Sequence, residues 1–336
     1  MSPYSYRTGF KGSYYEREFP QEIQMLSQLT ANDLKKPGLP PVLKTLTQLS
    51  PYKLDSFKFE FQSVTGKSLH DVCVALVAKE DSQLKTLVAG ITLGPLEFDL
   101  YLLKQAQRKK MDDDLILIFV GRQQDDLEYL DSLWSQRTGC GLTPSIPSLT
   151  SKRILQYALR LCLSLPRNNP LKPTHDALIH PHIRKLDDLL QMTFTSTLRG
   201  EYSFAFTVLD ILLKRSNTDI SKLALYFEVA TGSKLEKKIL NSTLDNTTKR
   251  IAVHALRTAR DPTYRDCKLL NHAFCRPSAE EDIAIRVCRA HWYSLHWKEI
   301  QAAWTGIIGS DIKTKISQLP KGLFRELLLA MTEEGD

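Results

Sequence analysis

Residues 66–68 read Gly-Lys-Ser, and these are the first residues in the chain whose types and order suggest a chemical role. The same triplet ends the loop that binds nucleotide phosphates. That loop also needs a glycine five positions before Gly66, where the backbone curls its N–H groups around the anion. Phe61 stands at that position, so the stretch does not predict a phosphate-binding loop.

Three successive acids, Asp112, Asp113 and Asp114, have carboxylates that could bind a cation. A second interpretation is that they begin a helix, because the N-terminal end of a helix attracts negative charge. The order of the next residues favours the helix start, since DDDLILIFVGR begins with acids and ends in a base. We keep Asp112 and Asp113 as weaker candidate metal ligands.

Two groups of histidines invite a zinc interpretation: His175, His180 and His182 in one, His291 and His296 in the other. Structural zinc takes four tetrahedral ligands, and no cysteine lies beside either group, so linker and helix-surface roles are favoured. We expect His291 to cap the helix that it ends. No constellation of nucleophile, base and cofactor turn is found, and we expect the protein not to be an enzyme.

The residues around Gly66 follow a pattern that recurs around Gly139, Gly232 and Gly309. The residue five before each glycine is aromatic, and the residue three after it is apolar. These residues are Phe61, Trp134, Phe227 and Trp304, followed by Leu69, Leu142, Leu235 and Ile312. Apolar residues also stand nine and twelve positions before each glycine, which traces one face of an α-helix that stops in a left-handed turn. The pattern predicts one helix end, present four times.

The glycines are spaced by 73, 93 and 77 residues, which indicates units of about 75 residues with an insertion between the second and the third. We predict an arm at 1–18, repeats at 19–94 and 95–163, a linker at 164–181, and repeats at 182–262 and 263–336. Short apolar segments whose polar residues do not alternate favour helix over strand, so the protein is predicted to be all-α with about five helices in each repeat. Ser278 and Glu281 have the spacing of a capping box at the start of one helix.

The composition is that of a soluble globular protein, with 42% hydrophobic and 25% charged residues. No apolar run approaches the length of a membrane span, and the first residues lack the apolar stretch of a secretion signal. Six cysteines without a CxxC pair suit reduced thiols. The net charge of +7 favours acidic partners, namely anionic lipid, nucleic acid or cytoskeletal polymers. We expect a cytoplasmic protein, and no recognition motif supports nucleic acid.

Longer stretches carry a family resemblance. The fourth repeat reads RDCKLLNHAFCRPSAEEDIAIRVCRAH at 265–291 and LPKGLFRELLLAM at 319–331, and the second begins PLEFDLYLLKQAQ at 95–107. Together with the four helix ends, these resemble the annexin family from about residue 19 onward. The resemblance implies an array of four repeats of five helices each, a slightly curved disc with its loops on the convex face.

Annexin-like loops supply backbone carbonyls from a Gly-x-Gly turn and a carboxylate about 40 residues later, which together hold calcium against lipid phosphate. Here the second repeat has Lys109 and Met111 at the glycine positions and Leu149 at the acid. The fourth has Arg276, Ser278 and Leu319 at the corresponding positions. In the first repeat Lys79 takes the place of the acid. The third keeps parts of the pattern, which predicts calcium ligation by the carbonyls of Ser196, Leu198 and Gly200 with Asp245; the alternative is a turn and a helix cap.

The resemblance also places basic clusters near the lipid-facing side. Predicted lipid-binding residues are Arg108, Lys109, Lys110, Arg199, Lys249 and Arg250. We therefore expect a protein that binds anionic phospholipid with weakened calcium dependence. The alternative is a cytoskeleton-associated protein similar to the alpha-giardins, in which the convex surface or the tyrosine-rich arm binds a filament. Either function places it at the membrane or the cytoskeleton, and its oligomeric state is unknown.

Overall fold

The computed structural model describes residues 18–36, 38–164, 180–191 and 198–333. Over these ranges it contains twenty α-helices and no strand, which confirms the all-α prediction. The helices are α1 (Pro20–Gln28), α2 (Pro41–Gln48), α3 (Pro51–Thr65), α4 (Leu69–Leu76), α5 (Ser82–Leu93), α6 (Pro95–Lys109), α7 (Asp112–Phe119), α8 (Gln124–Thr138), α9 (Leu142–Leu149), α10 (Arg153–Ser164), α11 (His180–Gln191), α12 (Leu198–Leu213), α13 (Asn217–Thr231), α14 (Leu235–Asn241), α15 (Asn246–Arg260), α16 (Pro262–Phe274), α17 (Glu280–His291), α18 (Ser294–Ile308), α19 (Ile312–Ser317) and α20 (Leu323–Ala330). None of these helices combines the length and the apolar character needed to cross a bilayer.

The four repeated glycines each end a helix, as the sequence predicts. Gly66, Gly139, Gly232 and Gly309 follow α3, α8, α13 and α18 with φ of 69°, 72°, 66° and 82°. The aromatic residue before each glycine and the apolar residue after it are buried. A residue with a Cβ is sterically disfavoured in this left-handed conformation. This explains why glycine recurs at the four helix ends.

A threonine supports three of these helix ends. The hydroxyl of Thr65 donates to the Phe61 carbonyl and accepts from the N–H of Lys67. Thr138 and Thr231 make the equivalent pair of bonds in the second and third repeats. The fourth repeat has Ile308 at this position.

The described residues between Leu100 and Arg265 form one compact unit, which contains the predicted second repeat from residue 100 onward and the predicted third repeat. Its helix α10 packs on α12 and α15, and α15 also packs on α7. Gly121 follows α7 with φ +86°. A Cβ built on it would lie within 3.0 Å of the Cβ, Cγ2 and Oγ1 atoms of Thr258 on α15. The close approach of these two segments therefore needs a glycine.

The second unit contains the described residues from 18 to Asp99 and from Asp266 to 333, so it combines the predicted first repeat with nearly all of the predicted fourth. Helix α5 lies against α17, where the Trp292 indole N–H donates to the Gly90 carbonyl over 3.1 Å. Arg289 on α17 forms a buried ion pair with Asp99. The packing of α5 on α17 thus joins the first and fourth repeats, and the buried charge pair ties α17 to the start of α6.

Two predicted caps differ from the structure. The capping box at Ser278 and Glu281 is wrong, because α17 begins after Ala279 and no side chain caps it. Ser278 has φ 57° and lies outside the helix, while Glu281 accepts a bond from the Thr86 hydroxyl over 3.1 Å. His291 does end α17, but its Nε2 lies 2.6 Å from the Thr47 carbonyl in the last turn of α2. It therefore caps a helix distant in sequence, since the C-terminal carbonyls of a helix lack intrahelical partners.

Candidate functional site

The end of α6 and the turn that follows it expose three successive cations, Arg108, Lys109 and Lys110. Lys110 has φ 55°, a left-handed conformation that is uncommon for a residue with a side chain. Its backbone N–H donates to the Ala106 carbonyl over 3.0 Å and so closes the end of α6. Its ammonium Nζ lies 3.1 Å from the Ser148 carbonyl near the end of α9. The turn is therefore held against the segment that precedes α10.

The first two acids that follow this turn, Asp112 and Asp113, are engaged with partners of the same unit. One carboxylate oxygen of Asp112 accepts from the Thr150 hydroxyl over 2.7 Å, and the other lies 2.9 Å from Lys152 Nζ. Asp113 forms an ion pair with Arg250 in the first turns of α15. Both acids stand in the first turn of α7, as the helix-start interpretation predicts. Lys152 is a cation of this site that the sequence analysis does not predict. Its position in the segment just before α10 is the one signal that points to it.

These contacts bring Lys110, Lys152 and Arg250 to one region of the unit, and three further cations are their neighbours in the sequence; we name the six the basic loop patch. The patch consists of Arg108, Lys109, Lys110, Lys152, Lys249 and Arg250. Three carboxylates at the surface lie among them, those of Asp112, Asp113 and Asp245, whereas the neighbouring Asp114 is buried. The patch therefore has an excess of three positive charges.

The predicted calcium ligands of the third repeat are only partly described. Ser196 lies outside the described residues, and so does the side chain of Arg199. Leu198 and Gly200 lie in the first turn of α12, where helical carbonyls point along the axis toward later N–H groups. Asp245 is the N-cap of α15 and accepts from the Thr248 backbone N–H over 3.0 Å and from its hydroxyl. The structure thus shows the capping role, and the calcium site stays a prediction.

Comparisons with known proteins find a match in solved structures only. No protein-family model matches the chain, and no curated protein matches it in sequence. A point mutant of annexin A8 with an intact N-terminus superposes with a TM-score of 0.79 at 14% identity, over 97% of this chain and 98% of that one. Chicken annexin V gives 0.74 at 16% identity, over 95% and 97% of the two chains. Calcium-bound alpha-14 giardin gives 0.74 at 13% identity, over 93% and 98%.

The chain has the annexin fold. The resemblance stated from the fourth repeat is thereby confirmed for the fold. The likeness extends over nearly the full length of this chain and of the others, so the array of four repeats is shared. Identities this low establish architecture and leave the ligand chemistry to this chain's own residues.

The described loops of this annexin fold provide few ligands for a hard cation, which takes six to eight oxygens. In the second repeat Lys110 holds the Ser148 carbonyl, and Asp112 and Asp113 are paired with cations. In the fourth, Arg276 pairs with Asp282, and a leucine stands at the acid position. Within the described ranges, no cluster of three or more His, Cys, Asp or Glu is arranged to hold a metal. The second and fourth loops therefore do not fit calcium.

Proposed function

We propose that this protein binds the surface of anionic phospholipid membranes, with a calcium dependence that is weakened relative to an annexin with intact loops. The observation that carries the proposal is the basic loop patch, in which Lys109 stands at a glycine position of the loop and cations of two other segments lie beside the same turn. Support for the lipid surface as partner comes from the annexin fold and from the excess of positive charge.

The patch has enough charge to matter energetically. A lysine or arginine beside an anionic bilayer contributes on the order of 1 kcal/mol, so an excess of three charges corresponds to about 3 kcal/mol. That is roughly a hundredfold in the partition between water and the surface. Attraction of this kind is screened by salt within about 10 Å at ordinary ionic strength, whereas binding through a metal is removed by a chelator.

Calcium enters the proposal through the third repeat alone. Asp245 is exposed at the N-terminus of α15, and it supplies one carboxylate toward the six to eight oxygens that calcium needs. Calcium at this repeat would add to the attraction of the patch for lipid phosphate. The structures of calcium-bound alpha-14 giardin and alpha-11 giardin support metal binding by this fold.

Sedimentation with phosphatidylserine vesicles tests the proposal. We expect the protein to pellet with these vesicles in a chelator, to bind less as salt rises, and to remain soluble with phosphatidylcholine vesicles. The charge reversal Arg108→Glu with Lys109→Glu should abolish most of this binding. Reversing two exposed lysines elsewhere in the same unit, Lys234→Glu with Lys237→Glu, is the matched control and should have a smaller effect. Failure to pellet both with and without calcium would refute the proposal.

A second candidate function, association with the cytoskeleton, is favoured by exposed apolar residues on the third helix of the repeats. Val229 on α13 is 77% exposed, and Leu295 on α18 is 79% exposed. Leu225 lies one turn from Val229 on the same face and is exposed as well. Exposed apolar groups on one type of helix suit contact with a protein better than contact with lipid headgroups.

Cosedimentation with microtubules or actin filaments distinguishes the two functions. If a filament is the partner, Leu225→Ser with Val229→Ser should release the protein from filaments and leave vesicle binding unchanged. Deleting residues 1–18 tests the arm in the same assay. Retention of the deletion variant on filaments would exclude the arm, and retention of the α13 variant would exclude this helix face.

A further inference from the structure

We propose that the ammonium group of Lys110 takes the place of a metal cation in the loop of the second repeat. The inference rests on the proposed function, because it explains what keeps this loop in one conformation for binding to an anionic surface when calcium is absent. The cation is then a permanent part of the chain, and a chelator cannot remove it.

The position of the contact supports this role. Lys110 stands between Lys109 and Met111, the two positions where the resemblance places glycines. Its Nζ reaches the Ser148 carbonyl over 3.1 Å, and Ser148 directly precedes Leu149, where the resemblance places the acid. In an annexin loop with intact ligands, the metal joins these two segments. Here a hydrogen bond from a charged donor joins them.

The left-handed turn at Lys110 is part of the same arrangement. A residue with φ 55° costs more in steric energy than one in a helix, so this conformation persists only where other contacts maintain it. Two contacts do so, the bond from the Lys110 N–H to the Ala106 carbonyl and the bond from its Nζ to the Ser148 carbonyl. The side chain is thus fixed at both its ends.

The neighbouring acids strengthen the inference, because cations of the protein already occupy them. Asp112 contacts Lys152 and Asp113 contacts Arg250, so binding calcium at either acid would require breaking an ion pair. The incoming metal would also meet the charges of Lys110, Lys152 and Arg250 at short range. Because a carbonyl is neutral, the contact with Ser148 leaves the positive charge of Lys110 available to an anionic surface.

Hydrogen exchange of the full chain in a chelator, without lipid, tests the contact itself. Lys110→Met removes the ammonium, and Lys110→Gly removes it while also relieving the left-handed strain. We expect amide exchange at 148–152 to accelerate roughly two- to fivefold in both variants, the factor expected for an exposed charged contact. Arg108→Met removes a nearby exposed charge and should leave these amides unchanged.

Several outcomes would overturn the inference. One is unchanged exchange in both Lys110 variants, and another is equal acceleration by Arg108→Met. Faster amide exchange in Lys110→Gly alone would show that the flexibility of the glycine backbone, and not the loss of the ammonium group, causes the effect. Millimolar calcium added to the wild-type protein should not slow exchange at 106–116 or 145–152, and protection of either segment would also contradict the replacement. Vesicle binding is measured separately, so its failure refutes the proposed function and leaves the exchange result to decide on Lys110.

Discussion

Replacing Gly90 by alanine should destabilise the unit that combines the first and fourth repeats. Gly90 lies in α5 where that helix meets α17, and it is buried there. A Cβ built on Gly90 would lie 2.7 Å from the Cβ of Cys288 and closer still to its Sγ, and 3.4 Å from Phe98 Cζ. Real Cβ atoms do not approach other atoms this closely, so α5 and α17 would have to move apart.

Two opposing terms set the size of the effect. Alanine is about 1 kcal/mol more favourable than glycine inside a helix, because glycine loses more backbone entropy. Overpacking a filled core costs about 1 to 3 kcal/mol, and here the obstacle includes the Cβ of Cys288, which no rotamer change can move. Separating the helices would also disturb the bond from Trp292 to the Gly90 carbonyl. We expect a net loss of about 1 to 2 kcal/mol, which for a unit of this size is a fall in Tm of about 2 to 8 °C.

Gly306→Ala is the matched control, because Gly306 lies inside α18 of the same unit and a Cβ there would meet nothing within 4 Å. It should gain up to about 1 kcal/mol from helix propensity alone. Differential scanning calorimetry or urea unfolding measures both variants. Cys288→Gly removes the obstructing Cβ, so Gly90→Ala should cost less in that background than in the wild-type protein, as a double-mutant cycle would show. A Gly90→Ala protein as stable as Gly306→Ala would refute the close approach of α5 and α17.

Three further predictions concern single residues. Burial lowers the pKa of His291 to about 4, against a hydrogen bond to the Thr47 carbonyl that raises it. The unfolded chain therefore binds the proton more tightly, and stability present above about pH 6.5 should fall by up to about 3 kcal/mol as pH drops toward 4. Urea midpoints across this range should show the fall in the wild-type protein and a flatter profile in His291→Gln, and equal slopes would contradict it. Ser278→Gly should stabilise the protein by about 0.5 kcal/mol, because Ser278 has φ 57° and glycine adopts that angle without strain; Ser278→Ala should bring no gain in the same melting experiment. Asp245→Ala should cost about 1 kcal/mol through loss of the α15 cap, whereas Asp245→Asn keeps the cap; if Asp245 also binds calcium, the asparagine variant alone will separate the two roles, with normal Tm and a weaker effect of calcium on vesicle binding.

The sequence carried the fold because its main signals are local. A helix face has a period of 3.6 residues, and a left-handed end needs glycine, so aromatic, glycine and apolar residues at fixed offsets identify the ends of α3, α8, α13 and α18 without reference to distant segments. The acids of α7 likewise indicate a helix start from their order alone. The prediction from sequence is wrong where a side chain forms its hydrogen bond with a segment outside its own helix. The spacing of Ser278 to Glu281 predicts a cap, but the Glu281 carboxylate is used by Thr86, almost two hundred residues earlier in the chain.

In the candidate site, too, the sequence predicts the residues that are present but not the distant residues that they contact. The cations at 108–110 and the missing glycines and acids are visible in the sequence, and they are sufficient to predict that calcium use is weakened. The partners of those cations are not visible there, because Ser148 is 38 residues from Lys110 and Arg250 lies more than a hundred residues from Asp113.

Sequence alone determined that this is an all-α chain of four similar bundles whose loops have exchanged glycines and acids for other side chains. Only the tertiary structure decided what those side chains now do, that Lys110 reaches a backbone carbonyl and that Asp112 and Asp113 are held by basic residues of other segments. The physical reason is one of range. Helix periodicity and left-handed turns depend on neighbours within a few residues, whereas the charge of a loop depends on which distant segments the packing of the helices brings beside it.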